Sequence, residues 1–96
     1  GSVFKYVRDI TLPPGSVIGQ HPHVSDEEIY FIISGSGIMV VDGEERLVGP
    51  GSAILTLSGS AHGIRNEGPE ALRMFVACAT AVSQSDKKGH GMGFTK

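Results

Sequence analysis

Short apolar runs and alternating apolar and polar residues follow one another along the chain, and glycine or proline interrupts them every eight to twelve residues. No apolar stripe with the 3.6-residue period of a helix persists. This pattern predicts an all-β chain, because half-buried strands alternate their side chains between two faces and end at turn residues. The predicted strands span residues 3–10, 16–23, 28–34, 37–42, 45–48, 53–57, 62–66 and 70–81, and the pattern also admits a short strand near 92–95.

Glycine, combined with proline, serine or aspartate, marks the turns between these strands. Asp42-Gly43 is the strongest signal, since a two-residue hairpin of the primed type needs positive φ, which Asp tolerates and Gly adopts freely. Fifteen residues separate Gly35 from Gly51, which suffices for one hairpin without an insertion. No internal repeat is visible, so a single compact domain is expected.

The strand predicted at 28–34 has large apolar residues on both faces. If Glu28 points into the domain, Tyr30 and Ile32 do so as well. Three large apolar side chains then face outward: Ile29, Phe31 and Ile33. Such an outer face is unusual for a monomer. We predict that a second copy of the chain covers it and makes the protein a homodimer; a terminal segment of the same chain is the alternative.

Composition argues against nucleic acid and membranes as partners. The chain has 96 residues, a formal net charge of −2 and a pI near 6.0, so no positive field attracts phosphates and nucleic acid is not expected. Its one cysteine, Cys78, cannot form an internal disulfide, and no apolar run reaches the ~18 to 20 residues that span a bilayer. We therefore expect a cytoplasmic protein without a membrane partner. Gly1-Ser2 resembles a remnant of an expression tag and is left out of the fold prediction.

Three histidines and one glutamate form the strongest chemical signal: His21, His23, Glu28 and His62. His21 and His23 are two residues apart in a predicted strand, so their side chains point the same way with Cα atoms roughly 6.5 to 7 Å apart. The two imidazoles can share one ion. The polar stretch at 24–27 is predicted to reverse the chain and bring Glu28 to the same interior. Since a His-x-His pair alone is more often structural, the surrounding residues decide.

Glycines frame both clusters. The first cluster reads Gly15-x5-His21-x-His23-x4-Glu28-x6-Gly35, and the second reads Gly51-x5-Leu57-x-Gly59-x2-His62-x3-Asn66. Together they resemble the two motifs of the cupin superfamily, over residues 15–66. Their compact spacing is similar to that of small single-domain cupins of the cupin 2 type. Cupins usually carry proline where this chain has Leu57, a position that shapes a turn and does not ligate.

The resemblance implies a small antiparallel β-barrel, or jelly roll, with one divalent metal ion per chain. It makes four residues the ligands: His21, His23, Glu28 and His62. Imidazole and carboxylate accept Fe, Mn, Ni, Co, Zn or Cu, so the identity of the metal stays open. Four protein ligands leave one or two coordination positions open, which favours catalysis over a closed structural site. The cupin domain is expected at 3–83, before a flexible tail at 84–96 whose His90 is not expected to be a ligand.

Tyr30 is the candidate catalytic residue. It lies two positions beyond Glu28 on the same face, where its phenol can orient a substrate or transfer a proton; a purely structural aromatic is the alternative. A tyrosine follows the ligand glutamate similarly in certain cupin lyases that cleave dimethylsulfoniopropionate, but this run is widespread among cupins and assigns no reaction. Cys78 is expected to be an inert core residue, Asn66 to hold a turn, and Arg65 to lie outside the barrel.

A barrel of this size has room for only a small ligand. Side-chain alternation lines it with apolar residues: Ile32, Leu55, Ile64, Met74 and Val76. No inward arginine or lysine is evident, which weighs against a phosphosugar and favours a small neutral or singly charged molecule whose oxygens chelate the ion.

We therefore predict a metal-dependent enzyme that acts on a small oxygenated organic substrate, with dioxygenase or oxidase chemistry ranked first. The first alternative is an isomerase, lyase or decarboxylase that uses the metal as a Lewis acid. The second is a non-catalytic sensor or small-ligand-binding domain.

Overall fold

The computed structural model describes residues 2–22, 25–81 and 92–95, with the backbone alone at 21–22 and 92–95. Across these ranges the chain forms strands joined by turns and contains no helix. The strands are β1 (Phe4–Leu12), β2 (Val17–Pro22), β3 (Asp26–Ser34), β4 (Gly37–Val41), β5 (Glu44–Val48), β6 (Ala53–Thr56), β7 (Ala61–Arg65), β8 (Leu72–Thr80) and β9 (Met92–Thr95). Within the described ranges, therefore, no helix is long and apolar enough to cross a membrane.

The strands form two antiparallel sheets. The five-stranded sheet has the order β1-β8-β3-β6-β9, and the four-stranded sheet has the order β2-β7-β4-β5. Consecutive strands repeatedly change sheet, and the inner faces enclose one apolar core, as in a jelly roll. The predicted all-β jelly roll is confirmed. The core is formed by Leu12, Tyr30, Ile32, Met39, Val41, Val48, Ile54, Ile64, Leu72, Met74 and Val76.

Most predicted strands end within two residues of the observed limits, and a strand is present at 92–95. The reversal predicted at 24–27 is too long, because Asp26 and Glu27 already pair with β8 as the start of β3. This pairing was not visible in the sequence, where four polar or short residues looked like a loop. The segment 82–91, which holds most of the predicted tail and His90, lies outside the described residues.

The β4–β5 hairpin turns at the predicted dipeptide. Asp42 has φ 49° and Gly43 has φ 83°, the left-handed conformations that a primed two-residue turn requires. The Asp42 carboxylate also accepts a hydrogen bond from the Ala61 backbone N–H at 2.9 Å. This hydrogen bond joins the hairpin to Ala61, the first residue of β7, which directly precedes His62.

The register of β6 against β3 corrects one predicted core residue. Leu55 was expected to line the interior, but it pairs with outward-facing Ile29 and is 38% exposed. Its neighbours Ile54 and Thr56 point inward and lie opposite Tyr30 and Glu28. Because β6 is apolar on both faces, its sequence alone did not say which face is buried.

Strand register gathers large apolar side chains on the outer surface of the five-stranded sheet. We call this surface the outer apolar face; its members are Val7, Ile29, Phe31, Leu55 and Phe75, all exposed. Ile29 and Phe31 were predicted to lie outward and do so, whereas Ile33 is half-buried. Cross-strand pairing adds Leu55 beside Ile29 and Phe75 beside Phe31, so the face is continuous across three strands.

Candidate metal centre

Two of the predicted ligands meet in the interior between the two sheets. Glu28 lies in β3 of the five-stranded sheet, and His62 lies in β7 of the four-stranded sheet. Nε2 of His62 is 2.7 Å from Oε1 of Glu28, and only 1% and 4% of these residues are exposed. The two side chains thus bring a nitrogen and an oxygen donor together from opposite sheets.

The backbone of His21 is also at this site. His21 in β2 pairs directly with His62 in β7. The register of this strand pair shifts just before that point, between Ile18 and His21. Gly63 permits this close approach, because a Cβ there would come within 2.6 Å of the Ile18 carbonyl oxygen. His23, the remaining predicted ligand, lies outside the described residues.

The separation and chemistry of the Glu28 oxygen and the His62 nitrogen agree with a pair of metal ligands. Donors at about 2.1 Å from one ion lie roughly 3 Å apart when they share an octahedral edge, close to the observed separation of Glu28 and His62. One imidazole and one carboxylate form a borderline-hard pair that suits the predicted metals. Among the side chains that the structure describes, no group of three histidine, cysteine or acidic residues forms a metal cluster.

Tyr30 lies where the sequence predicted it, inward and beside Glu28. It is 4% exposed, its phenol donates to Oε1 of Glu28 at 3.3 Å, and its ring meets the His62 ring edge-on with centroids 5.5 Å apart. Burial, and then the charge of Glu28, raise the pKa of the Tyr30 phenol above its ordinary value. The phenol is therefore protonated at neutral pH and acts as a hydrogen-bond donor.

Tyr6 is a site residue that the sequence analysis missed. Its phenol donates to Oε2 of Glu28 at 2.5 Å. Burial, followed by the hydrogen bond to Glu28, raises the pKa of this phenol as well. The signal that could have revealed it is strand alternation: Tyr6 shares a face with Ile10, which is partly buried, and Leu12, which is buried.

One row across the inner face of the five-stranded sheet forms the floor of the site: Tyr6, Cys78, Glu28 and Thr56. Thr56 donates its hydroxyl to the Glu28 backbone carbonyl at 3.1 Å. Cys78 is 1% exposed, and burial is the main cause that raises the pKa of its thiol. A buried, protonated thiol agrees with the predicted inert role.

Arg8 is the cation that lies beside the site, although no arginine or lysine was expected to point inward. It pairs with Val76, whose side chain is buried, and so lies on the same face of β1 as Tyr6. Its guanidinium carbon is 4.3 Å from the centroid of the Tyr6 ring, while the side chain remains exposed. Since β1 is an edge strand, this face is only partly covered by the opposite sheet.

The loop before β7 forms without the proline that cupins usually have there. The Leu57 carbonyl accepts the N–H and the hydroxyl of Ser60, both at 3.1 Å, and Gly59 takes φ 94°. Ser58 in the same loop accepts the N–H of Ser25 at 2.9 Å. Hydrogen bonds therefore replace proline as the constraint that holds the loop leading to His62.

Asn66, the last residue of the second motif, and its neighbour Arg65 lie as expected from the sequence. Asn66 is buried and donates its amide to the carbonyls of Leu12 and Glu70 at 2.9 and 2.8 Å, so it holds the loop at the far end of the core. Arg65 points outward and pairs with the carboxylates of Glu45 and Glu67.

The chain is similar in sequence to known proteins. The chain is 40% identical over 57 residues to a Thermotoga maritima protein named an oxalate-binding protein. The aligned residues cover 59% of this chain and 47% of that protein. It is 33% identical over 75 residues to an uncharacterized protein of Methanocaldococcus jannaschii. This alignment covers 78% of this chain and 60% of that protein. The chain thus spans about half the length of the curated relatives that it matches.

Solved structures share the fold. A crystal structure described as a predicted oxalate decarboxylase of Thermotoga maritima superposes with a TM-score of 0.80 and 31% identity, covering 81% of this chain and 68% of that chain. The cupin domain of Schizosaccharomyces pombe Cnp3 superposes with a TM-score of 0.77 and 21% identity over 95% of this chain and 70% of that chain, a likeness of fold alone. Residues 8–78 match the family described as Cupin domain, and the chain belongs to the cupin family.

Proposed function

We propose that the protein is a metal-dependent enzyme that acts on a small oxygenated organic molecule, whose oxygens chelate one divalent transition-metal ion. The ion's ligands are His21, His23, Glu28 and His62. The observation that carries the proposal is the 2.7 Å approach of His62 Nε2 to Glu28 Oε1 in a buried interior. Membership of the cupin family, in which metal binding is common, supports it.

The position of His21 supports a third ligand. Directly paired residues of antiparallel strands have Cβ atoms about 4.5 to 5.5 Å apart, and the backbone of His21 is paired with His62 in this way. His23 is proposed as a ligand from the sequence motif alone, in which it stands two residues after His21.

The surroundings of Glu28 favour a small, oxygen-rich ligand. Tyr6, Tyr30 and Thr56 form hydrogen bonds to Glu28, while large buried side chains such as Ile32 and Met74 fill the core beyond this end. Relatives carry the names oxalate-binding protein and predicted oxalate decarboxylase. Oxalate is therefore the first ligand to test.

Two reaction classes fit this site. The bound ion would supply Lewis acidity and, for iron, manganese or copper, redox chemistry. We rank oxygen-dependent cleavage or oxidation first, because four protein ligands would leave the ion positions for a substrate and O₂. Lewis-acid lyase, decarboxylase or isomerase chemistry is the second candidate, since the Tyr30 phenol, the candidate group for proton transfer, lies beside Glu28.

Metal binding is tested by competition with a chelator. His62→Ala and His21→Ala are expected to bind zinc at least ~10-fold more weakly than wild type and to lose the thermal stabilisation that zinc confers, because a bound ion stabilises the native state by mass action. His90→Ala is the matched control and is expected to bind zinc as wild type does. Full zinc retention by His62→Ala under competition contradicts the ligand assignment.

The two reaction classes are separated by comparing metals. If oxygen chemistry operates, the iron(II) protein consumes O₂ only in the presence of substrate, and the zinc protein does not turn that substrate over. Equal turnover by the zinc protein under argon identifies the Lewis-acid class instead. Ligand binding without turnover for every metal tested supports the non-catalytic sensor.

We also infer a homodimer that covers the outer apolar face. Phe31 and Phe75 are 45% and 44% exposed and lie side by side, and Leu55 extends the surface. A second copy would remove this surface from water on both chains at once, because a two-fold interface uses the same face twice. The cytoplasmic location predicted from composition stays a prediction.

A further inference from the structure

Arg8 differs from the other arginines of the chain in how its guanidinium is used. Arg46, Arg65 and Arg73 each form an ion pair with a carboxylate at the surface. In the described ranges, no carboxylate forms an ion pair with Arg8, and its guanidinium stacks on the face of the Tyr6 ring. Stacking on a ring face leaves the N–H donors at the edge of the guanidinium available for an anion.

Arg8 is also close to the metal centre through Tyr6. The Tyr6 ring contacts the Arg8 guanidinium at 4.3 Å, and its hydroxyl contacts Oε2 of Glu28 at 2.5 Å. Along this line exposure falls, from exposed Arg8 through half-buried Tyr6 to buried Glu28. The three side chains therefore connect the solvent at edge strand β1 to the interior.

We propose that Arg8 is a specificity-determining residue that binds a carboxylate group of the ligand at the entrance beside Tyr6, and that the ligand class is small carboxylate anions. The inference rests on the proposed metal-binding function and deepens it. It extends the neutral or singly charged substrate class expected from the sequence to dianions such as oxalate, because that expectation assumed an interior side without a cation.

The chemistry of the side chains supports this assignment. Guanidinium has a planar fork of N–H donors that matches a carboxylate with two parallel hydrogen bonds. Tyr6 holds the fork by stacking and directs its own hydroxyl to Glu28, so one residue sets the spacing between the cation and the metal centre. A positive charge at the entrance also opposes the repulsion that buried Glu28 exerts on an anionic ligand.

The experiment measures binding of oxalate and of its neutral analogue oxamide to the zinc-loaded full chain by calorimetry. Arg8→Gln is expected to weaken oxalate binding about tenfold or more, as for loss of a hydrogen bond to a charged group, and to change oxamide binding less than ~3-fold. Arg8→Lys is expected to be intermediate, because it keeps the charge but not the fork. Arg46→Gln is the matched control: it removes the same charge from the other sheet and is expected to bind oxalate as wild type does.

Zinc content and the circular dichroism spectrum are measured for every variant. Equal oxalate affinity in Arg8→Gln and wild type, with zinc bound in both, overturns the role of Arg8 and leaves the proposed metal site intact. The same role is overturned if zinc-loaded wild type binds no oxalate, or binds inorganic phosphate more tightly than oxalate. Wild type that takes up no zinc contradicts the proposed function itself and the inference with it.

Discussion

Glu28 is the residue through which the candidate site is assembled. Its carboxylate accepts a hydrogen bond from Tyr6 on one oxygen, while Tyr30 and His62 approach the other. These partners come from β1, β3 and β7, so the side chain couples both sheets at one buried point. Burying a carboxylate without partners is costly, and the surrounding donors offset that cost.

Tyr30 is expected to contribute to proton transfer. Tyr30→Phe removes the hydroxyl and conserves the packing of the ring, so we expect turnover to fall by about 100-fold or more, in the usual range for loss of a general acid. The measurement compares kcat of wild type and variant after equal zinc or iron content and an unchanged thermal midpoint have been established. A change within ~3-fold would assign Tyr30 to core packing alone.

At the scale of elements, the contact between β2 and β7 sets the position of the His21 backbone beside His62. The register of β2 shifts between Ile18 and His21, and the shifted backbone lies against Gly63. A Cβ at Gly63 would meet the Ile18 carbonyl oxygen at 2.6 Å and the Gln20 nitrogen at 2.8 Å. Both are backbone atoms, so the clash cannot be relieved by rotating a side chain.

Gly63→Ala is therefore expected to destabilise the domain by about 2 kcal/mol, within the range for overpacking, and to weaken zinc binding by displacing β2 from β7. Urea denaturation and chelator competition measure the two effects. Gly19→Ala is the matched control in β2, because a Cβ there meets nothing within 4 Å. Equal stability of the two variants would show that β2 does not press on β7 as described.

At the scale of the whole molecule, the two sheets present different outer surfaces. The five-stranded sheet carries the outer apolar face, and Asp9 and Arg73 form an ion pair beside it. On the four-stranded sheet, Arg65 bridges Glu45 and Glu67 at the surface. The exposed apolar side chains of this sheet lie apart, on either side of Arg65, whereas those of the five-stranded sheet adjoin one another, which favours pairing through the five-stranded sheet.

Phe31→Glu is expected to convert a wild-type dimer into monomers, because it places a charge within the apolar interface. Sedimentation at tens of micromolar protein measures the change. Leu47→Glu is the matched control: Leu47 is 71% exposed on β5 of the four-stranded sheet and is expected to leave the dimer intact. Monomeric wild type at this concentration contradicts the homodimer.

The sequence determined the features that depend on short stretches of chain. Strand alternation predicted the strands and the inward positions of Glu28 and Tyr30, and Asp42-Gly43 predicted its hairpin from backbone preference alone. The resemblance of the two motifs to those of cupins predicted that Glu28 and His62 lie at one site, and the structure brings them together. Each of these predictions depends either on the backbone geometry of a few consecutive residues or on the two sequence motifs, whose residues the fold brings together.

Only the tertiary structure decided which strands are neighbours and in what register. Register placed Leu55 outside, because β6 is apolar on both faces and its pairing with β3 selects one of them. It also brought Tyr6 to Glu28, with Arg8 against the Tyr6 ring, from a strand that lies far from Glu28 in the sequence. Such long-range contacts arise from the joint packing of two sheets, which no single segment encodes by its own alternation.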